Sequence, residues 1–215
     1  MPLDSRMTAA AHLAAAHPAL AALIARIGPC GLSHEATREP YEALVRAISH
    51  QQLHGRAAEA IMRRFVALYP AESFPTPELV LALDDASLRG CGLSGSKVAA
   101  IRDIAARALD GTVPTRAEAA GLDDAALIER LTPIRGVGRW TVEMLLIFTL
   151  GRPDILPVDD FGVREGWRLI QKLAAQPRPK ELWAIGEAWA PYRSTAAWYL
   201  WRAADEGKKI KQAVP

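Results

Sequence analysis

Asp159 and Asp160 stand side by side in Leu156-Pro157-Val158-Asp159-Asp160-Phe161-Gly162-Val163, where a proline-bounded run gives way to a helical pattern. A carboxylate at that junction caps the new helix, and the positive end of the helix dipole favours its ionised form. A fixed, ionised carboxylate can also stabilise an oxocarbenium-like cation and orient or deprotonate a water. Cleavage of an N-glycosidic bond makes such a cation on the sugar. Helix phase does not separate the two aspartates, because Val163 and Trp167 lie near the face of either one.

Upstream lies Leu131-Thr132-Pro133-Ile134-Arg135-Gly136-Val137-Gly138-Arg139-Trp140-Thr141-Val142. One helix ends near Ile134 and another begins near Arg139, with Gly136-Val137-Gly138 between them. Two glycines admit positive φ and leave no Cβ against an incoming group. The free amides that open the second helix then form an anion site, for which a DNA phosphate is a suitable ligand. Arg135 and Arg139 add charge on either side, with Val137 and Thr141 in the same stretch. A plain turn with Gly138 as a C-cap is the alternative; apolar Leu131, Ile134 and Val137 fit two helices packed together as a hairpin.

Two further stretches bear on chemistry. All six tryptophans, Trp140, Trp167, Trp183, Trp189, Trp198 and Trp201, fall after residue 139. About half should fill a core; the rest suit a pocket in which an extruded base stacks on aromatic faces. A cationic N-alkylated purine is drawn to indole more strongly than a neutral base. Ser49-His50-Gln51-Gln52-Leu53-His54-Gly55-Arg56 interrupts a helical pattern with polar residues. Taken alone it reads as a solvated turn, in which His54 also qualifies for reading the minor groove. No second ligand is spaced with His54 for a metal. Gly92-Leu93-Ser94-Gly95-Ser96-Lys97 is another short glycine-rich turn.

The elements that must position these residues are helical nearly throughout. Apolar residues recur at helical spacing in Tyr41, Leu44, Val45 and Ile48 and again in Ala57, Ile61, Phe65 and Leu68. Thr76-Pro77, Asp84-Asp85, Thr115 and Asp123 are helix starts. Strand-like alternation is nearly absent, so an all-α protein of about ten short helices is expected. The chain has 215 residues, 50% hydrophobic and 23% charged, with a formal charge of +2. That size suits one domain or two interleaved subdomains, and any basic surface must be local. Two cysteines, Cys30 and Cys91, cannot make a four-cysteine metal site or a disulfide framework, so a reducing compartment is expected. The apolar run from Met144 to Leu150 is too short to cross a bilayer. His12, His17 and Pro18 interrupt the alanine-rich stretch from Ala9 to Leu23, which reads as a helix and not as a signal peptide. Gly207-Lys208-Lys209-Ile210-Lys211 reads as a basic, solvated tail.

The hairpin, the double aspartate and the Gln51-Gln52-Leu53-His54 corner occur in the order found in helix-hairpin-helix DNA glycosylases, which residues 40 to 204 resemble. Gly136-Val137-Gly138-Arg139-Trp140-Thr141 and Leu156-Pro157-Val158-Asp159-Asp160 are similar to the AlkA-like alkylbase (3-methyladenine) branch. The resemblance implies a helix-hairpin-helix glycosylase fold of two helical subdomains flanking a cleft: about 40–150, carrying the hairpin, and about 1–39 with 151–215. It implies Asp160 as the catalytic carboxylate, with Asp159 as cap or neighbour. Trp201 matches the tryptophan that faces the damaged base, and Trp140 a tryptophan near the pocket. Met144 falls where the better-known relative has an aromatic. The corner's counterpart in that family enters the gap left by an extruded nucleotide, and Gln51, Gln52, Leu53 and His54 all qualify for that plug. Branches that also cleave the backbone carry a lysine at the position of Trp140, so Schiff-base lyase chemistry should be missing.

The resemblance also implies a monovalent cation at hairpin carbonyls, without assigning them, and no cofactor. The function it implies is that of a monofunctional hydrolase of base excision repair. Such an enzyme acts as a monomer on double-stranded DNA and releases flipped-out alkylated purines of the 3-methyladenine and 7-methylguanine type. It would sit with the nucleoid in a bacterial cytoplasm, or in the nucleus of a eukaryote. A non-catalytic damaged-DNA-binding protein on the same fold is the alternative. An enzyme for oxidised or deaminated bases is disfavoured by Trp140, and a helical scaffold that binds only proteins would ignore DNA.

Overall fold

The computed structural model describes residues 3–53 and 55–213, with side chains for 7–53 and 55–209. The helices are α1 (Leu3–Ala16), α2 (Pro18–Ile27), α3 (Pro40–His50), α4 (Gly55–Ala67), α5 (Pro77–Ala82), α6 (Asp85–Gly90) and α7 (Gly95–Leu109). They continue with α8 (Arg116–Ala120), α9 (Asp124–Leu131), α10 (Arg139–Phe148), α11 (Phe161–Ile170), α12 (Pro179–Gly186), a 3₁₀ turn (Glu187–Trp189) and α13 (Arg193–Ala213). No β-strand occurs among the described residues. None of their helices is long and apolar enough to cross a membrane.

Capping chemistry sets most of these boundaries. The side chains of Thr76, Asp84, Ser94, Asp123 and Asp160 each accept a backbone N–H three residues on. Thr115 and Glu118 form a reciprocal capping box. Each such cap is worth about 1 kcal/mol. Caps this close together delimit helices of only five or six residues, α5, α6 and α8. The alanine-rich N-terminal stretch splits in two at His17, whose ring accepts the Ala19 N–H ahead of α2 while Pro18 occupies its first position. Hence thirteen α-helices are seen among the described residues where periodicity gives about ten. α13 continues through the basic tail, where Lys208 and Lys209 are exposed and a side chain at Gly207 would meet Leu169.

The chain divides into two compact units, Met1–His34 with Gly151–Pro215 and Glu35–Leu150. In the first, Leu13, Leu20, Leu23, Val163, Trp167, Trp189, Tyr199 and Leu200 form one buried apolar cluster. Complete burial of each such side chain is worth about 1.5–3 kcal/mol. Within it α11 packs along α13. In the second, α3, α4, α5 and α7 pack together around buried Leu44, Ile48, Phe65 and Ile101. There Arg116 donates to the carbonyls of Glu35, Arg38 and Thr149, which ties the start of the unit to the end of α10.

Candidate functional site

The two aspartates, equivalent by helix phase, have different settings. Pro157 to Asp160 form a turn closed by the Asp160 N–H on the Pro157 carbonyl at 3.0 Å. Asp159 lies exposed on that turn, and Asp160 is the N-cap of α11. Asp160 Oδ1 accepts the Val163 N–H at 2.8 Å and the Trp201 indole Nε1–H at 2.8 Å. The carboxylate is thus fixed by two donors, at the positive end of a helix dipole, while still partly open to solvent. The two donors fix where Oδ1 points, as a carboxylate that stabilises a developing cation requires.

Several residues that build this corner carried no signal in the sequence. A Cβ on Gly162 would lie 2.8 Å from Trp201 Cδ1 and 3.1 Å from Asp160 Oδ1, so only glycine lets the indole reach the carboxylate. The approach to the turn, residues 151–157, is pinned to the start of α13. Arg193 binds Asp154 through two contacts of 2.7 Å, and Ser194 Oγ donates to the Arg152 carbonyl while accepting the Ile155 N–H. The Arg193 guanidinium holds the Asp154 carboxyl below the usual carboxylate range. These partners lie about forty residues apart, beyond the reach of local pattern.

The tryptophans divide between core and surface. Trp167 and Trp189 are buried in the core of the first unit, and Trp198 packs partly buried against it with Arg202 over its ring. Trp183 is 41% exposed beneath Arg193. Trp201 is half-buried at Asp160. Trp140 and Met144 belong to the second unit, on α10, where Trp140 is 43% exposed. Met144 lines a cavity of about 270 Å³ with Thr141, Arg46, His50 and Phe148.

The second unit carries the hairpin. α9 ends at Leu131, three residues earlier than the apolar pattern suggests, and a turn leads to α10. Of its two glycines only Gly136 takes positive φ, at 77°; Gly138 is extended at −92° and is the N-cap of α10, not the C-cap of α9. Gly138 brings no side chain to cap α10. Arg135 and Arg139 are exposed beside it and Val137 is buried beneath. The Arg135 N–H is held by Asp103 at 2.7 Å, and Arg139 pairs with the buried Glu143 one turn on at 3.0 Å. The second of these is an i, i+4 pair that the sequence displays.

The corner from Gln51 to Leu53 follows α3 in the same unit. The Gln51 side-chain amide donates to the Gly136 carbonyl at 3.0 Å, so corner and hairpin touch. Gln52 takes φ 57°, unusual for a residue with a side chain, and Leu53 is 40% exposed. His54 lies outside the described residues. A monovalent cation at the hairpin would be held by backbone carbonyls. Two of these are engaged, Gly136 O by Gln51 and Ile134 O by the Val137 N–H. Each keeps a second lone pair, so the donor type fits a hard cation that would stiffen the turn. Among the described residues no group of three or more His, Cys, Asp and Glu is placed to hold a metal ion.

Residues 45–191 match the family described as HhH-GPD superfamily base excision DNA repair protein. DNA-3-methyladenine glycosylase 1 of Schizosaccharomyces pombe is 46% identical over 177 residues, 81% of this chain and 78% of that protein. A structure of the 3-methyladenine DNA glycosylase of that yeast in complex with abasic DNA superposes with a TM-score of 0.84. It is 41% identical over 91% of this chain and 95% of its own. A DNA-3-methyladenine glycosidase from Bacillus halodurans superposes with a TM-score of 0.82, at 33% identity over 92% of this chain and 89% of its own.

Proposed function

The chain belongs to the HhH-GPD superfamily of base excision DNA repair proteins, and from that membership we propose that it is a monofunctional DNA glycosylase that releases alkylated purines. The observation that carries the reading is the Asp160 carboxylate, fixed at a helix N-terminus by Val163 and Trp201. Similarity to 3-methyladenine glycosylases, one of them on abasic DNA, supports the substrate class.

The hairpin amides and Arg135 and Arg139 bind backbone phosphates, so affinity falls with salt. The corner at Gln51 to Leu53 fills the space that the extruded nucleotide vacates. Trp201, half-buried beside Asp160, offers a surface to the damaged base. Alkylation at a ring nitrogen makes that base cationic, hence both attracted to indole and ready to leave. The C–N bond breaks with its electron pair going to the base. Asp160 stabilises the positive charge left on the sugar and orients a water, which adds to the anomeric carbon and passes its proton to that carboxylate. The leaving group needs little acid catalysis, in keeping with a site built on one fixed carboxylate. Trp140 supplies no amine, so no Schiff base forms and the strand is left uncut.

The test is release of free base from methylated double-stranded DNA, with alkaline cleavage revealing the abasic product. Release of 3-methyladenine or 7-methylguanine supports the reading. Tight binding to methylated DNA without release contradicts it.

A further inference from the structure

The sequence segment Gly92-Leu93-Ser94-Gly95-Ser96-Lys97 has no role in the chemistry above, yet its lysine reaches the corner. Lys97 lies in the first turn of α7, and its ammonium donates to the carbonyls of Ser49 and Gln51, each at 2.8 Å. Those carbonyls belong to the end of α3, where the last acceptors of a helix lack intrahelical partners and the dipole favours a cation. Lys97 has no carboxylate within ion-pair distance among the described residues, and burial lowers its pKa from the usual lysine range. A half-buried ammonium devoted to two neutral carbonyls is a clasp on the backbone.

The same helix also holds the hairpin. Asp103 accepts the Arg135 N–H at 2.7 Å, and a Cβ on Gly136 would lie 3.1 Å from that of Ala100. Lys97, Ala100 and Asp103, three residues apart in turn, thus bind α7 to both of the loops assigned to DNA. Gln51 closes the circuit through the Gly136 carbonyl. The left-handed backbone of Gln52 follows directly after the carbonyl that Lys97 holds. Such a conformation persists in a residue with a side chain only where the surroundings enforce it.

We propose that Lys97 is a positioning residue for base extrusion. By holding the Ser49 and Gln51 carbonyls it sets corner 51–53 at a fixed offset from the hairpin, so the corner enters the duplex as a preformed wedge. Extrusion must meet the cost of unstacking; a wedge already ordered adds little conformational entropy loss to it. The proposal rests on the glycosylase reading, and it predicts an effect on extrusion and not on bond cleavage.

The experiment compares wild type with Lys97→Met and Lys97→Arg on two duplexes. In one, 7-methylguanine is paired and flanked by 2-aminopurine; in the other it sits in an unpaired bulge. Lys97→Met should reduce the 2-aminopurine fluorescence rise on binding and slow single-turnover release from the paired lesion by about tenfold, the size of one lost charge-assisted hydrogen bond. Release from the bulge should change by less than about twofold, and Lys97→Arg, whose fork serves two carbonyls, should recover most of the loss. An equal slowing on both duplexes, or wild-type fluorescence and release in Lys97→Met, overturns the proposal. Where Lys97→Met does not fold, Lys97→Gln, which keeps an N–H for one carbonyl, is read in the same way. Wild type that raises the fluorescence but releases no base overturns the glycosylase reading; the fluorescence comparison then still decides the role of Lys97.

Discussion

Replacing Gly162 by alanine should separate the geometry of the carboxylate from the stability of the fold. The added methyl would lie 2.8 Å from Trp201 Cδ1 and 3.3 Å from its Nε1. These are ring atoms, so relief requires the whole indole to swing away, which breaks the 2.8 Å bond from Nε1 to Asp160 Oδ1. A hydrogen bond to a charged group contributes about 1.5–3 kcal/mol. At about 1.4 kcal/mol per factor of ten, its loss at the reacting carboxylate slows base release by about ten- to hundredfold. Against this, alanine is the better helix former by at most about 1 kcal/mol, which offsets only part of that loss, so the variant should stay folded with a slightly lower thermal midpoint. Trp201→Phe, which keeps a ring but removes the donor, should produce a loss of similar size. The assay is single-turnover release of 7-methylguanine, with a melting curve on the same preparation. Wild-type release by Gly162→Ala would show that the indole does not set the carboxylate and would refute this account of the corner.

Other consequences follow from neighbouring features. Incubation with abasic DNA and borohydride should trap no covalent adduct, because Trp140 provides no amine; a trapped complex would reveal lyase chemistry. Asp154→Asn should destabilise the protein at neutral pH by about 1–3 kcal/mol through loss of the charge-assisted contacts to Arg193. Because Arg193 depresses the Asp154 pKa, the stabilisation is present above the ordinary carboxylate range, near about pH 4, and is lost as pH falls through the folded value. The gap between variant and wild type in denaturant melts should therefore narrow as pH falls below the ordinary carboxylate range; a constant gap would mean that the ion pair is not its source.

Much of the helical fold was legible in the chain because short-range chemistry marks it. Thr76, Asp84, Thr115, Asp123 and Asp160 cap the helices that their residue types suggest. The split at His17 was harder to read, since a histidine acting as an N-cap through its ring nitrogen looks like an incidental interruption. Gly138 likewise bears two readings in sequence, and the side of the turn on which it falls is settled by where α9 ends. In the candidate site, residue type marked the hairpin and the pair of aspartates, and only the family resemblance pointed to Asp160 and to a role for the corner. What sequence could not display were the partners that hold them: Trp201 lies 41 residues from Asp160, Gln51 lies 85 from Gly136, and Lys97 lies 46 from Gln51. Such contacts depend on tertiary packing, for which no local spacing rule exists.

The central claim is that the Asp160 carboxylate performs the bond-breaking step, and Asp160→Asn tests it most directly. Asparagine caps a helix about as well as aspartate and keeps an oxygen for the Val163 N–H and the Trp201 indole, so fold and DNA affinity should persist. Single-turnover release of 7-methylguanine should then fall to background while binding to abasic DNA stays near the wild-type level. Release at a rate close to wild type from the folded variant would contradict the account.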